Sequence, residues 1–237
     1  MNNDFNGVFL CDKPADWTSH DVVGWLRPRI GITKIGHGGT LDPFATGLLL
    51  IMIGSATKQS ENFKKTKKRY VGTVFFGVHS STNDCTGIFT PTEKSLPTLQ
   101  EIEQVLKQFQ GEILQIPPIF SAKKINGTRA YSAARSGTPL QLAPQKVTIF
   151  SLSTLSYEPP LWRFSLICSG GFYVRSLARD MGNILGCGAY LHSLRRESVG
   201  DFSLPGFCPS EHNTQYHSKE VWREILEKYR APHLRNQ

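Results

Sequence analysis

Residues 47–54 read GLLLIMIG, a run without one polar side chain. A strand with one wet face alternates apolar and polar residues, and a surface helix keeps a polar stripe; this run does neither. It is too short to span a membrane, so it needs apolar cover on every side, either as a buried strand or as the wall behind the loop that precedes it. The chain has 237 residues, 39% of them hydrophobic, and can supply that cover from one large domain or one domain with a small appendage.

The preceding loop, HGGTLDPFATG (37–47), carries a single acid, Asp42, between Leu41 and Pro43. Pro43 removes a backbone donor and fixes one torsion, while the neighbouring glycines let the main chain turn sharply and a bulky ligand approach. A carboxylate so placed can be a nucleophile, a general base or a turn-forming Asp, since Asp-Pro is a frequent turn pair. His37 opens the same loop.

The remaining pattern mixes strands and helices without regular alternation, which favours an α+β fold. GVFLCDKP (7–14) reads as a strand stopped by proline, and TSHDVVGWL (18–26) as a helix with Ser19 as N-cap candidate and Asp21 in its first turn. RYVGTVFFGV (69–78) and FSLICS (164–169) are strand-like. TLQEIEQVLKQFQG (98–111) is the clearest helix, with a Thr98/Glu101 capping box and an apolar stripe of Leu99, Ile102, Leu106 and Phe109. YVRSLARDMGNILG (173–186) is a second helix, closed by Gly186 and striped by Leu177, Met181, Ile184 and Leu185. Near the end, SKEVWREILEKY (218–229) forms one amphipathic helix through Val221, Trp222, Ile225, Leu226 and Tyr229.

Charge narrows the function. The formal net charge is +8, and no acid occurs between Glu112 and Glu158, whereas Lys123, Lys124, Arg129, Arg135 and Lys146 do. A phosphate backbone selects such a segment, because each acid would repel it. KKTKKR (64–69) is a second basic cluster and precedes Tyr70. No phosphate loop, dinucleotide fingerprint, HExxH or GxSxG is present, so neither a cofactor nor a metal is expected. The five cysteines are odd in number, widely spaced and contain no CxxC, which suits a reducing cytoplasm. Neither a secretory signal nor a membrane span is expected.

The loop motif GHGGTLDPFATG (36–47) resembles the catalytic loop of the TruB family of pseudouridine synthases, whose pattern runs G-H-x-G-T/A-L-D-P-x-A-x-G. The likeness continues in order through LCDKPADWTS (10–19), KKRYVGTVFFG (67–77), PPIFSAKKINGTRAY (117–131), CSGGFYVRSLARDMG (168–182) and LGCGAYLHSLRRESVGDF (185–202). The resemblance implies a mixed, mostly antiparallel sheet flanked by helices, with an RNA-binding thumb inserted at about residues 120–148. It implies a catalytic domain over residues 1–205 and, over 206–237, a short one-helix tail in place of the usual PUA-like domain.

It also implies roles. Asp42 becomes the nucleophile on a T-loop uridine of tRNA (position 55), attacking sugar or base, and Arg175 the guanidinium that pairs with it and holds its pKa down. Tyr70 is catalytic, stacking on the flipped base and assisting proton removal, while Tyr173 and Leu194 line its pocket and His37 holds the RNA loop open. Lys13 supports the loop or contacts RNA, and Lys123, Lys124, Arg129 and Arg135 meet phosphates of the T-arm. The enzyme is expected to act as a cytoplasmic monomer, without metal or cofactor. The acidic turn frequent in the family is reduced here to SSTNDCTG (80–87), with Asp84 its only charge, and Phe172 stands where threonine is usual; neither is expected to touch the chemistry. The competing reading is a tRNA-binding folding chaperone with secondary or lost catalysis, which would not need Asp42, Tyr70 and Arg175 together.

Overall fold

The computed structural model describes residues 5–121, 123–125, 128–130, 133, 136, 138, 140–212 and 218–231. Along the chain lie β1 (Gly7–Lys13), α1 (Ser19–Ile30), β2 (Ile35–His37), β3 (Thr46–Ile53), α2 (Ser60–Lys65), β4 (Lys68–Phe76), β5 (Val78–Ser80), β6 (Phe89–Pro91) and α3 (Leu99–Leu106). They are followed by β7 (Gly111–Gln115), β8 (Lys124–Ile125), β9 (Thr128–Arg129), β10 (Gln145–Glu158), β11 (Leu161–Cys168), α4 (Val174–Leu185), β12 (Ala189–Val199), β13 (Phe202–Ser203) and α5 (Lys219–Glu227). The architecture is α+β with mostly antiparallel strand pairs, as the sequence led us to expect. Two compact units divide it, Met1–Tyr70 with Leu194–Gln237, and Val71–Ser193.

In the first unit β3 is the apolar run. Leu49, Ile51 and Ile53 enter a cluster with Phe9, Cys11, Val22, Leu26, Trp222 and Leu226. Leu48, Leu50 and Met52 enter a separate cluster with Val8, Ala56 and Val199. Alternate side chains thus serve two cores, which is why no polar residue interrupts the run. β1 pairs antiparallel with β3 from Gly7↔Ile53 to Lys13↔Gly47, so Lys13 arrives beside the end of the Asp42 loop. The start of β3 also pairs in parallel with β12, Arg195↔Thr46 and Arg196↔Gly47. Gly47 lies at φ +100°, and a Cβ there would stand 2.2 Å from the Arg196 carbonyl oxygen, so only glycine fits.

The N-cap of α1 is Thr18 rather than Ser19: Thr18 and Asp21 form a capping box, and the Ser19 hydroxyl is used elsewhere. The helix runs past Pro28 to a left-handed Gly31, because Ile30 still has core to fill. The tail is built into this unit. Trp222 and Leu226 of α5 join the first cluster, while the backbones of Phe207, Tyr229 and Ala231 hydrogen-bond along β1.

Within the second unit the strand order is β12, β4, β11, β10, β7, with β5–β6 and β8–β9 as separate hairpins. Its core holds Val74, Phe76, Trp162 and Phe164. The capping box of α3 is as expected, whereas Leu99 is exposed and Val105 takes a buried place. On α4 the buried face comprises Val174, Leu177, Ala178, Met181 and Gly182, and Ile184 points outward at 49% exposure. Gly182 permits this packing, since a Cβ there would meet the Ala189 amide at 2.3 Å. No helix among the described residues is long and apolar enough to cross a membrane.

Candidate active site

Asp42 is half-buried, and the backbone on both sides of it is held. Before it, the Ser19 hydroxyl accepts from the Leu41 amide at 2.9 Å and donates to the Leu41 carbonyl at 3.2 Å. After it, the Pro43 carbonyl accepts from the Asp16 amide at 2.9 Å and from Lys13 Nζ at 3.1 Å. Its own carbonyl accepts from the Ala45 amide at 3.1 Å, closing a tight turn. Beneath the glycines lies Arg196, almost fully buried, with Nε on Leu48 O at 2.7 Å, Nη2 on Gly39 O at 3.1 Å and Nη1 on Thr40 O at 3.4 Å. Several donors to carbonyls, spread along a short loop, leave its main chain little freedom to carry the carboxylate away.

Lys13 is fully buried, and its ammonium donates to Pro14 O, Trp17 O and Pro43 O. An ammonium has three protons, all used here, so Lys13 braces the loop. Burial pushes its pKa down to about 8, against the opposing pull of Cys11, Asp42 and Asp16. Lys68 behaves alike. It is buried and donates to Phe63 O, Lys64 O and Thr66 O, so the basic cluster at 64–69 turns one of its charges inward to close α2.

His37 sits in β2 opposite Ile51, half-buried. Its pKa is lowered first by burial and then by the positive charge of Arg196, which favours the neutral imidazole. Tyr70 in β4 and Leu194 in β12 are both buried and belong, with Asp42, His37 and Lys13, to the first unit.

Tyr173 and Arg175 belong to the second. Tyr173 is the N-cap of α4, and Arg175 lies in the first turn, only 6% exposed. A guanidinium at a helix N-terminus faces the positive end of the helix dipole and needs other anchors. It has them in Asp84 Oδ2 at 3.4 Å and the Phe120 carbonyl at 2.9 Å. Asp84, also buried, accepts on its other oxygen from Thr82 Oγ1, Thr86 Oγ1 and the Thr86 amide. The one acid left in the SSTNDCTG turn is therefore an ion-pair partner of Arg175. Of the insert, Lys123 is half-buried, and Lys124 and Arg129 face each other in register in the β8–β9 hairpin; Arg135 lies outside the described residues.

Sequence reasoning gives no supporting role to four residues that hold the candidate site residues within their own units. Ser19 reads as a helix cap, Arg196 is one of two adjacent arginines in a family-like stretch, and Gln115 and Asp84 carry no motif of their own. Long-range hydrogen bonds define Ser19, Arg196 and Gln115, and a long-range ion pair defines Asp84; neither has a local sequence signal.

An α+β sheet with a carboxylate mounted on a glycine-bordered loop is pseudouridine synthase architecture. In the crystal structure of a Cbf5-Nop10-Gar1 complex, one chain matches with 30% identity and a TM-score of 0.66, covering 85% of this chain; this chain spans half the length of that one, 50%. The description "TruB family pseudouridylate synthase (N terminal domain)" fits residues 27–174, and "tRNA pseudouridylate synthase B C-terminal domain" fits residues 175–229. The tRNA pseudouridine synthase B of Chlamydia abortus is 45% identical over 199 residues, 84% of each chain. That of Solibacter usitatus is 44% identical over 202 residues, 84% of this chain and 68% of the relative. The chain belongs to the TruB family of pseudouridylate synthases, isomerases that convert uridine to pseudouridine.

Proposed function

We propose that this protein isomerises the T-loop uridine at position 55 of tRNA, acting as a cytoplasmic monomer with Asp42 as nucleophile. The relatives named tRNA pseudouridine synthase B support the tRNA substrate. The observation that carries the assignment of Asp42 is its mounting, a half-exposed carboxylate whose two flanking residues are each pinned by hydrogen bonds. A turn-forming Asp would need no such frame, whereas a nucleophile gains from it because reaction requires a fixed approach.

The reaction breaks the bond from ribose C1′ to uracil N1 and joins C1′ to C5; the C5 proton is lost and N1 gains one. No electrons are transferred to or from another molecule, so side chains and binding suffice. Asp42 attacks the nucleotide and holds one fragment covalently while the base turns. Arg175 supplies the positive charge that keeps the attacking carboxylate ionised. The uridine must first leave its stack, at a cost of a few kcal/mol. Stacking on Tyr70, packing by Tyr173 and Leu194, His37 beside the opened loop, and phosphate contacts from Lys123, Lys124, Arg129 and Arg135 offset that cost.

Incubation with unmodified tRNA, followed by chemical labelling of pseudouridine, tests the reading directly. We expect one new pseudouridine in the T-loop. Asp42→Asn should reduce its formation at least about 1000-fold while leaving RNA affinity near that of wild type. Binding without any product from the wild-type protein would favour the chaperone reading instead.

A further inference from the structure

Gln115 ends β7 and is 1% exposed, and both ends of its side-chain amide meet one residue far away in the sequence. Its Oε1 accepts from the Tyr173 amide at 2.8 Å, and its Nε2 donates to the Tyr173 carbonyl at 3.1 Å. Tyr173 has no side-chain cap of its own, and its carbonyl also receives the first helical amides of α4, from Ser176 at 3.1 Å and Leu177 at 3.3 Å. One amide thus fixes both peptide groups of the residue from which α4 departs. The residues after Gln115 continue the attachment. The Ile116 carbonyl accepts from Ser176 Oγ and Arg179 Nη2, and the Phe120 carbonyl accepts from Arg175 Nη2. Residue 120 is where the basic insert begins, so the strand leading into the insert is fastened to the first turns of α4.

We propose that Gln115 is a positioning residue for uridine isomerisation. Its paired hydrogen bonds set the start of α4, and with it the orientation of the Tyr173 ring and the Arg175 guanidinium, and they tie that orientation to the root of the RNA-gripping insert. This rests on the reading above that Tyr173 and Arg175 serve the uridine. A buried amide that only filled space could be replaced without effect on the chemical step. An amide that holds Tyr173 through both its N–H and its C=O cannot.

The chemistry of a carboxyl group provides the test. A protonated glutamic acid donates from one oxygen and accepts on the other, which reproduces the amide pattern. An ionised one only accepts, and it repels the Tyr173 carbonyl. Burial raises the pKa of a carboxyl group, bringing this change into the range of ordinary assays. Single-turnover rates on unmodified tRNA, RNA affinity and thermal melting are measured for wild type, Gln115→Leu and Gln115→Glu between pH 6 and 8. Relative to wild type at each pH, we expect Gln115→Leu to be slower by about tenfold or more with affinity within about threefold. Gln115→Glu should match that loss at pH 8 and recover most of the rate at pH 6. A folded Gln115→Leu with the wild-type single-turnover rate would overturn the proposal, as would Gln115→Glu without recovery at low pH. Should Gln115→Leu not fold, the pH response of Gln115→Glu decides alone. An inactive wild type would instead sink the functional reading itself.

Discussion

Lys13 and Pro43 are thirty residues apart in the chain, yet a buried ammonium at the end of one strand donates to the carbonyl that directly follows the candidate nucleophile, at 3.1 Å. The register of β1 on β3 makes the meeting inevitable, because it sets Lys13 opposite Gly47 at the end of the loop. Lys13 is thereby part of the frame that holds the Asp42 loop, and its replacement should be felt at the carboxylate.

Lys13→Met should unfold at lower denaturant, by roughly 2–4 kcal/mol, because buried carbonyls are left without donors. Turnover should fall further than RNA affinity does, since the loop loosens while phosphate-binding groups stay. Urea unfolding and single-turnover kinetics on the same preparation check both.

The pH response of Lys13 has opposite signs for activity and stability. With its pKa lowered from 10.5 to about 8, the folded chain sheds this proton first. Above about pH 8 the neutral amine has two protons for three carbonyls, so turnover should decline, and the decline should be absent in Lys13→Met. Between pH 8 and 10.5 the unfolded chain holds the proton that the folded chain has lost, so this group's contribution to stability rises with pH across that window. Below pH 8 both forms are charged and the contribution is flat. Paired rate and unfolding measurements from pH 7 to 10 would expose the two slopes, and a parallel fall of both would contradict the assignment.

Gly47→Ala should be among the most damaging single-methyl additions in the chain. The new Cβ would lie 2.2 Å from a backbone oxygen at a left-handed φ of +100°, and its nearest atoms all belong to the Arg196 backbone rather than to a flexible side chain. A loss of at least about 3 kcal/mol is expected, with a melting temperature lowered by several degrees. Gly171→Ala is the control: it shares a positive φ but meets no atom within 4 Å, so it should cost much less.

Asp84→Asn removes the charge that faces Arg175 in a nearly dry site. Breaking a buried pair from one side typically costs about 3–5 kcal/mol. Some of this is retained here, because the Asn carbonyl can still accept from Thr82 and Thr86. We expect roughly 2–3 kcal/mol of lost stability and a clear drop in turnover, read by denaturant unfolding and by rate at saturating tRNA. Full activity would show that Asp84 only shapes its turn.

Sequence legibility followed the distance over which each feature is determined. The β3 run was readable because burial on both faces removes every polar residue, and the Thr98–Glu101 box because its partners lie three residues apart. β10 was not, although it is the longest strand at 14 residues, because register shifts at Ile149/Ser151 and Thr154/Ser156 break the alternation that marks a strand. The apolar stripe of α4 includes Ile184, yet the structure turns it outward because Gly182, with no side chain to signal burial, occupies the packed face. In the site, Asp42 stands out through its glycines, whereas nothing local signals that Lys13 and Asp84 are buried. A formal charge in a sequence reads as solvated, and only tertiary contacts show that it is enclosed.

The tail along β1 bears on the order of synthesis. β1 is synthesised about 200 residues before the residues that satisfy its outer backbone groups, Phe207, Tyr229 and Ala231. Until then the nascent chain carries Lys13 on a strand with an open edge, the kind of edge that recruits stray partners. A ribosome halted before α5 should therefore release a chain that carries the whole Asp42 loop beside a strand whose outer backbone groups still seek partners.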